Sequence, residues 1–258
     1  MKLYDPNRIQ PDFHLISKVR EIHSQSKKKY GSRRVSKQLK ADGYNIGRYR
    51  ARNLMKKAGV SVSYKKKFKR TTDSKHSLPV AKNLLNRRFD IEKPNTVWCS
   101  DITYLWTNEG WLYLAVVIDL YSRKIVGWAL SNRMKVSLVK EALSMAYFRR
   151  RPNRGLIHHS DRGSQYAAKE YQILLTQFGM ICSMSRKGDC WDNAVVESFF
   201  HTLKIECTDE RRYLTREEAR LDILAYIEMF YNSYRLHSSL GYESPNDFEN
   251  QINTNKAA

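Results

Sequence analysis

Three stretches decide the fold: VWCSDITYLWT at 97–107, WLYLAVVIDLY at 111–121 and KIVGWALS at 124–131. Each is dense in β-branched and aromatic residues and reads as a strand. The connections TNEG and LYSR are short, so the three are expected to pair as an antiparallel meander. Beyond them, Val136–Arg149 reads as a helix with Leu138, Ala142 and Met145 on its apolar side. RGLIHHSD reads as a fourth strand ending at Asp161, and Ser164 is placed to cap a helix over Gln165–Phe178. GMICSMS reads as a fifth strand, and after RKGDCWDN a helix is expected from Ala194 to Cys207. The order is that of an α+β domain.

The chain before these strands differs in kind. Residues 1–90 hold 25 Lys and Arg against 6 Asp and Glu, a balance of +19, while residues 91–258 hold 21 against 20, a balance of +1. The positive field therefore belongs to the first third and is attracted to polyanions, of which nucleic acid is the one expected inside a cell. Leu15, Val19 and Ile22 recur at helical spacing, and Val35 and Leu39 mark a second helix that Gly43 would end. GRYRARNLMKKAG then offers an apolar stripe of Ala51, Leu54, Met55 and Ala58. Two short helices joined by a Gly-containing turn match a helix-turn-helix, or else an ordinary helical hairpin with a solvated face. On the first reading Arg48, Arg50, Arg52 and Asn53 are candidate base readers, since Arg pairs with guanine and Asn with adenine, and Lys56 is a further candidate DNA contact. Ser61–Pro79 reads as a linker in which Tyr64 and Phe68 interleave with Lys65, Lys66 and Lys67; it serves either as a DNA-tracking strand or as a plain tether.

With 41% hydrophobic residues the 258-residue chain can fill a core, which excludes a wholly disordered protein. Its longest apolar run, Trp111–Ile118, is too short to span a bilayer, and MKLYDPNRIQ lacks the apolar heart of a signal peptide. Four cysteines form no CxxC pair and are expected to be reduced thiols in the cytoplasm.

Three acids sit where elements begin or end: Asp101 within WCSDITY, Asp161 within HHSDRGSQY, and Glu197 within WDNAVVESFF. A carboxylate inside the apolar run VWCSDITYLW is costly unless paired or bound to a cation. Carboxylates suit Mg²⁺, and two such ions serve phosphoryl transfer. In the last helix Val196, Phe199, Phe200 and Leu203 make an apolar face, with Glu197, His201 and Lys204 along its neighbour.

WCSDITYL, GWLYLAVVIDLYSRKIVGWAL, HHSDRGSQY and GDCWDNAVVESFFHTLK, in that order, resemble the integrase core of bacterial insertion-sequence transposases. More narrowly they resemble the second-reading-frame product (OrfB) of the copy-out, paste-in group, relatives of retroviral integrase. The 35 residues between Asp161 and Glu197 have the spacing that names this family's acidic triad. RRVSKQLKADGYNIGRYRARNLMKKAGV resembles its helix-turn-helix, and YNSYRLHSSLGYESPNDF its C-terminal segment.

The resemblance implies a ribonuclease-H-like core, a five-stranded mixed sheet with flanking helices, preceded by a small all-α domain. The division expected is 1–60 for the helix-turn-helix, 61–92 for a basic linker, 93–207 for the catalytic core and 208–258 for a C-terminal helical segment and tail. It also implies that Asp101, Asp161 and Glu197 bind two Mg²⁺ ions, with Mn²⁺ able to substitute, and that Lys204 contacts terminal DNA. Asp119, within IDLYSRK, is not a ligand on this reading. His158 and His159 are expected to position the loop or contact DNA. Retroviral integrases carry a His-His-Cys-Cys zinc domain; no Cys precedes Cys99, so zinc is not expected. The implied partners are double-stranded DNA, further copies of the chain and an upstream-frame product, to which such subunits are often fused. The implied activity is strand cleavage followed by strand transfer. The alternatives are a DNA-binding repressor with an idle core and a nuclease that cuts without joining.

Overall fold

The computed structural model describes residues 10–62, 78–186, 190–209 and 211–255. Lys65, Lys66 and Lys67 lie outside them. The chain forms two compact units, Met1–Lys66 with Leu236–Tyr242, and Lys67–Arg235 with Glu243–Ala258. Among the described residues no helix is long and apolar enough to cross a membrane.

The first unit holds helices α1 (Gln10–Gln25), α2 (Ser32–Ala41) and α3 (Arg48–Lys57). The apolar spacing explains them: Leu15, Val19 and Ile22 of α1 are buried, as are Val35 and Leu39 of α2 and Ala51, Leu54 and Met55 of α3. Gly43, at φ +90°, reverses the chain after α2, a conformation that costs a side-chain-bearing residue more than glycine. A fourth piece comes from far along the sequence. The Leu236 backbone N–H donates to the Tyr30 hydroxyl at 2.8 Å, and Arg34 Nε donates to the Leu236 carbonyl at 3.0 Å. The Lys37 ammonium lies over the Tyr242 ring. The stretch 208–258, expected as one segment, is thus shared: 236–242 completes the helical unit, and the rest belongs to the other.

The second unit is built on strands β1 (Val97–Thr107), β2 (Gly110–Asp119), β3 (Ile125–Ser131), β4 (Ile157–Ser160) and β5 (Ile181–Met184), ordered β3-β2-β1-β4-β5. The first three form the expected antiparallel meander, and β4 and β5 join in parallel, with Trp98 opposite His158 and Ser100 opposite Ser160. Helix α4 (Val136–Arg150) covers β2 and β3. It buries Leu138, Val139, Ala142, Leu143 and Ala146, whereas Met145 is only half-buried. At Gly127 a Cβ atom would meet the Ala142 carbonyl oxygen at 2.2 Å, so glycine is what lets this helix approach β3.

Three sequence expectations need correction. The helix expected over 165–178 is two helices, α5 (Ser164–Ala167) and α6 (Lys169–Gln177), broken at Ala168 with ψ 137°. In a continuous helix residues five apart point about 140° away from each other. The break lets Tyr166 and Tyr171 both enter the core, 5.4 Å apart, and Ser164 caps nothing. The last helix, α7 (Ala194–Leu203), passes at Lys204 into a π-helical turn, Lys204–Thr208, instead of running evenly to Cys207. The wider turn keeps Cys207 and Thr208 buried. Finally, the linker 61–92 is in part docked: the Leu84 backbone N–H donates to Ser183 Oγ at 2.9 Å, and Leu85 is buried.

Helix α8 (Arg216–Ala225) continues as a π-helical turn to Tyr231, and helix α9 is Pro245–Asn255. The Asn232 side chain both accepts from the Ile125 backbone N–H and donates to the Ile125 carbonyl, satisfying edge strand β3 as a further strand would.

Candidate active site

Strands β1 and β4 run parallel and adjacent, and α7 packs on β1. This topology brings Asp101, Asp161 at the end of β4, and Glu197 in the first turn of α7 into one electrostatic group. Asp101 and Asp161 are half-buried and Glu197 is exposed. The Asp101 carboxyl is held well above its ordinary range, first by burial and then by the charges of Asp161 and Glu197. The Ile102 backbone N–H, 2.7 Å from Oδ1, and the Lys204 ammonium pull it back. Partly desolvated carboxylates that feel one another's charge are the donor type that hard divalent cations take. Among the described residues no three acids, histidines or cysteines stand close enough together to enclose an ion as they are.

The surroundings show how each acid is held. Asp161 Oδ1 accepts the Gly163 backbone N–H at 2.9 Å. A Cβ at Gly163 would lie 3.0 Å from that same oxygen, so glycine keeps the carboxylate uncrowded. Asn193, at the start of α7, donates to the Ser100 carbonyl beside Asp101. Val196, Phe199, Phe200 and Leu203 are all buried, as the apolar spacing predicts, so Glu197 is turned outward. Lys204 is half-buried and lies with Nζ 5.7 Å from the Tyr104 ring centre; burial lowers its pKa, while Asp209 and Asp101 raise it.

Sequence reasoning missed Asp192, two residues after Cys190 in the turn before α7. It is fully buried and accepts from the Arg186 backbone N–H and guanidinium, from Arg87 and from Asn83, all at 2.8–3.1 Å. The Arg186 hydrogen bonds hold its carboxyl well below the usual range against the opposing effect of burial. Its position joins the end of β5, the turn before α7 and the stretch before β1. In the sequence it stands within GDCWDNAVV, where nothing sets it apart from Asp189.

Asp119 is buried at the end of β2 and accepts backbone N–H groups from Asn95 and Tyr121, with Arg150 at 3.5 Å. These bonds stitch a strand end. His158 and His159 are fully buried, which removes them from any DNA surface. His158 Nε2 lies 2.8 Å from Ser100 Oγ and 3.0 Å from the Tyr171 hydroxyl; His159 Nδ1 lies 2.8 Å from Ser183 Oγ. Burial pushes their pKa values down to about 3 and about 4, so both rings are neutral ties between strands.

In the other unit Arg48, Arg50, Arg52, Asn53 and Lys56 all stand on the exposed side of α3. Arg50, Asn53 and Lys56 line a shallow depression together with Lys57, which the sequence reading did not single out.

An integrase core domain profile matches residues 91–190, a second integrase core domain profile matches 179–245, and an HTH-like domain profile matches 10–68. The insertion element IS600 uncharacterized 31 kDa protein of Shigella sonnei is 47% identical over 94% of this chain and 89% of its own length. Transposase InsF for insertion sequence IS3A of Escherichia coli (strain K12) is 44% identical over 92% of this chain and 83% of its own length. The chain belongs to the IS3-family InsF transposases. Among solved structures, the catalytic core domain of BIV integrase aligns with 64% of this transposase chain and 99% of its own, at 16% identity and a TM-score of 0.45. The five-stranded mixed sheet, its flanking helices and the helix-turn-helix unit agree with this membership.

Proposed function

We propose that this transposase binds the ends of its insertion element and catalyses DNA strand cleavage and strand transfer at Asp101, Asp161 and Glu197. The observation that carries the reading is the electrostatic grouping of those three acids from three separate elements around Asp101. They would hold two divalent cations, Mg²⁺ or in its place Mn²⁺. Bound there, the cations supply activation of the attacking oxygen and charge stabilisation of the leaving one. The protein orients the scissile phosphate, and direct in-line attack by water or by a 3′-hydroxyl needs no Ser or Tyr nucleophile. Lys204 grips a phosphate of the terminal DNA as a point charge. Exposed Arg48, Arg50, Arg52 and Asn53 read base edges from α3, and Lys56 holds a phosphate. Lys65, Lys66 and Lys67 add unspecific phosphate contacts. The working form is a multimer holding both ends in the bacterial cytoplasm, acting with or fused to an upstream-frame product.

The test is incubation with a labelled element end in Mg²⁺ or in EDTA. Cleavage in Mg²⁺ alone, and joining of pre-cleaved ends, is expected. Cutting without joining marks a nuclease, and binding without cutting marks a repressor. If Asp119→Asn abolishes chemistry in a folded protein while Asp101→Asn does not, the site is wrongly assigned.

A further inference from the structure

The hairpin of β1 and β2 carries four aromatic rings that the proposed reaction does not use. The strand register sets Tyr104 opposite Tyr113 and Trp106 opposite Trp111. The rings meet edge to face, 4.9 Å between Trp106 and Trp111, 4.9 Å between Tyr104 and Trp111, and 6.2 Å between Tyr104 and Tyr113. Tryptophan is on average a well-buried residue, yet Trp106 is 59% exposed and Trp111 44%. Their support is rigid. The Asn108 backbone N–H donates to the Tyr213 carbonyl at 3.0 Å, and Arg216 Nε donates to the Trp111 carbonyl at 3.1 Å. The Glu109 carboxylate at the tip accepts the Arg216 backbone N–H at 2.8 Å. A surface held this way loses little conformational freedom when it binds.

The inner end of the ladder identifies what it binds. Lys204 Nζ lies 5.7 Å from the Tyr104 ring centre, and its charge is felt at Asp101. The ladder therefore leads from the acidic group, past a cation, to two exposed indoles. An occupant must be anionic at one end and stack at the other, which describes a nucleic acid strand and not the apolar face of a second protein.

We infer that Trp106 and Trp111 form a stacking platform for an unpaired nucleobase of the DNA strand whose backbone Lys204 grips. Bases at a terminus unstack at the least cost, and the π-face of any base suits an indole. The platform thus holds frayed bases without reading sequence, beyond Lys204 and about 17 Å along β1 from Asp101. This inference rests on the transposase reading above.

The experiment uses the full chain in EDTA with two probes, a duplex bearing a 3′ single-stranded overhang with 2-aminopurine and the blunt duplex of the same sequence. The wild type is expected to bind the overhang duplex more tightly and to quench its fluorescence. The double variant Trp106→Ala/Trp111→Ala is expected to lose roughly 5- to 150-fold in Kd for the overhang duplex, with the quench, and to keep its blunt-duplex Kd. The double Phe variant keeps part of both, and circular dichroism checks folding. Unchanged overhang affinity and quench in the Ala variant, or equal loss on both probes, would overturn the platform. So would a change confined to sedimentation, which would make the patch a contact between copies. Failure of the transposase reading looks different: the wild type then binds neither duplex and cuts no element end in Mg²⁺. If it binds and cuts, and Asp101→Asn stops the cutting, while the Trp variants change nothing, only the platform is lost.

Discussion

On α3 the charges of Arg48, Arg50, Arg52 and Lys56 stand in solvent around a buried seam of Ala51, Leu54 and Met55, whereas Asp101 and Asp161 are half-buried beside a sheet. Solvated cations act at a distance and are screened by salt; desolvated anions act at contact and are hardly screened. The first arrangement suits capture of a polyanion and the second suits a cation and a reacting phosphate. On the proposed function, affinity and chemistry are carried by different units and are separable by substitution.

The strongest way to break this contrast is at Asp101. Asp101→Asn keeps the shape and removes the charge, and cleavage is expected to fall by roughly 100- to 1000-fold or more, as when one electrostatic stabiliser is deleted. Binding to the element end should survive in a gel-shift assay. Parallel loss of binding would mean that the two units do not divide the work.

Asp192 tests whether buried charge is always for chemistry. Its removal as Asp192→Ala leaves Arg186 and Arg87 facing a void, at a cost of about 2–4 kcal/mol, below the range for wholly buried pairs because both arginines are about half exposed. Urea unfolding measures this. Since its folded pKa is depressed, the stability it adds is present above the unfolded value of about 3.9 and is lost as pH falls below it. A variant that unfolds at the same urea concentration as wild type at pH 7 would show the cluster to be inert.

The exposed charges are expected to give smaller effects. Asn53→Ala or Arg52→Ala should cost about 1–3 kcal/mol on the preferred sequence and relax sequence choice. Lys56→Ala should weaken all sequences alike and lower the salt slope by about 1. Competition titrations at several salt concentrations separate the two, and identical behaviour of all three variants would reduce α3 to a phosphate clamp.

At neutral pH the smallest effect belongs to His158. Because burial lowers its folded pKa to about 3, the unfolded chain binds more protons below about pH 6.5, and stability should fall as pH drops from there. His158→Asn should flatten that slope by up to about 1.4 kcal/mol per pH unit in urea melts. An unchanged slope would show that the ring is protonated in the native state.

Local pattern was legible wherever one element answers to its own period. The face of Val196, Phe199, Phe200 and Leu203 is buried as read, and β1 runs from Val97 to Thr107 as quoted. Asp101 was legible because a carboxylate in an apolar run is anomalous at any distance from its partners, and Asp161 and Glu197 only through the motif resemblance and its spacing. Asp192 was not, since its partners Asn83 and Arg87 lie more than a hundred residues away. The break at Ala168 carried no Gly or Pro to announce it; the need of two tyrosines to enter one core imposed it.

The sequence by itself determined the strands, most of the helices and the basic first third, because propensity, period and charge act over a few residues. Tertiary structure alone decided that 236–242 completes the helical unit, that His158 and His159 are neutral ties, and that Trp106, Trp111 and Lys204 lie along one ladder. Those outcomes depend on which groups lose water and which distant groups become neighbours, and burial and Coulomb energies are set by that geometry rather than by order along the chain.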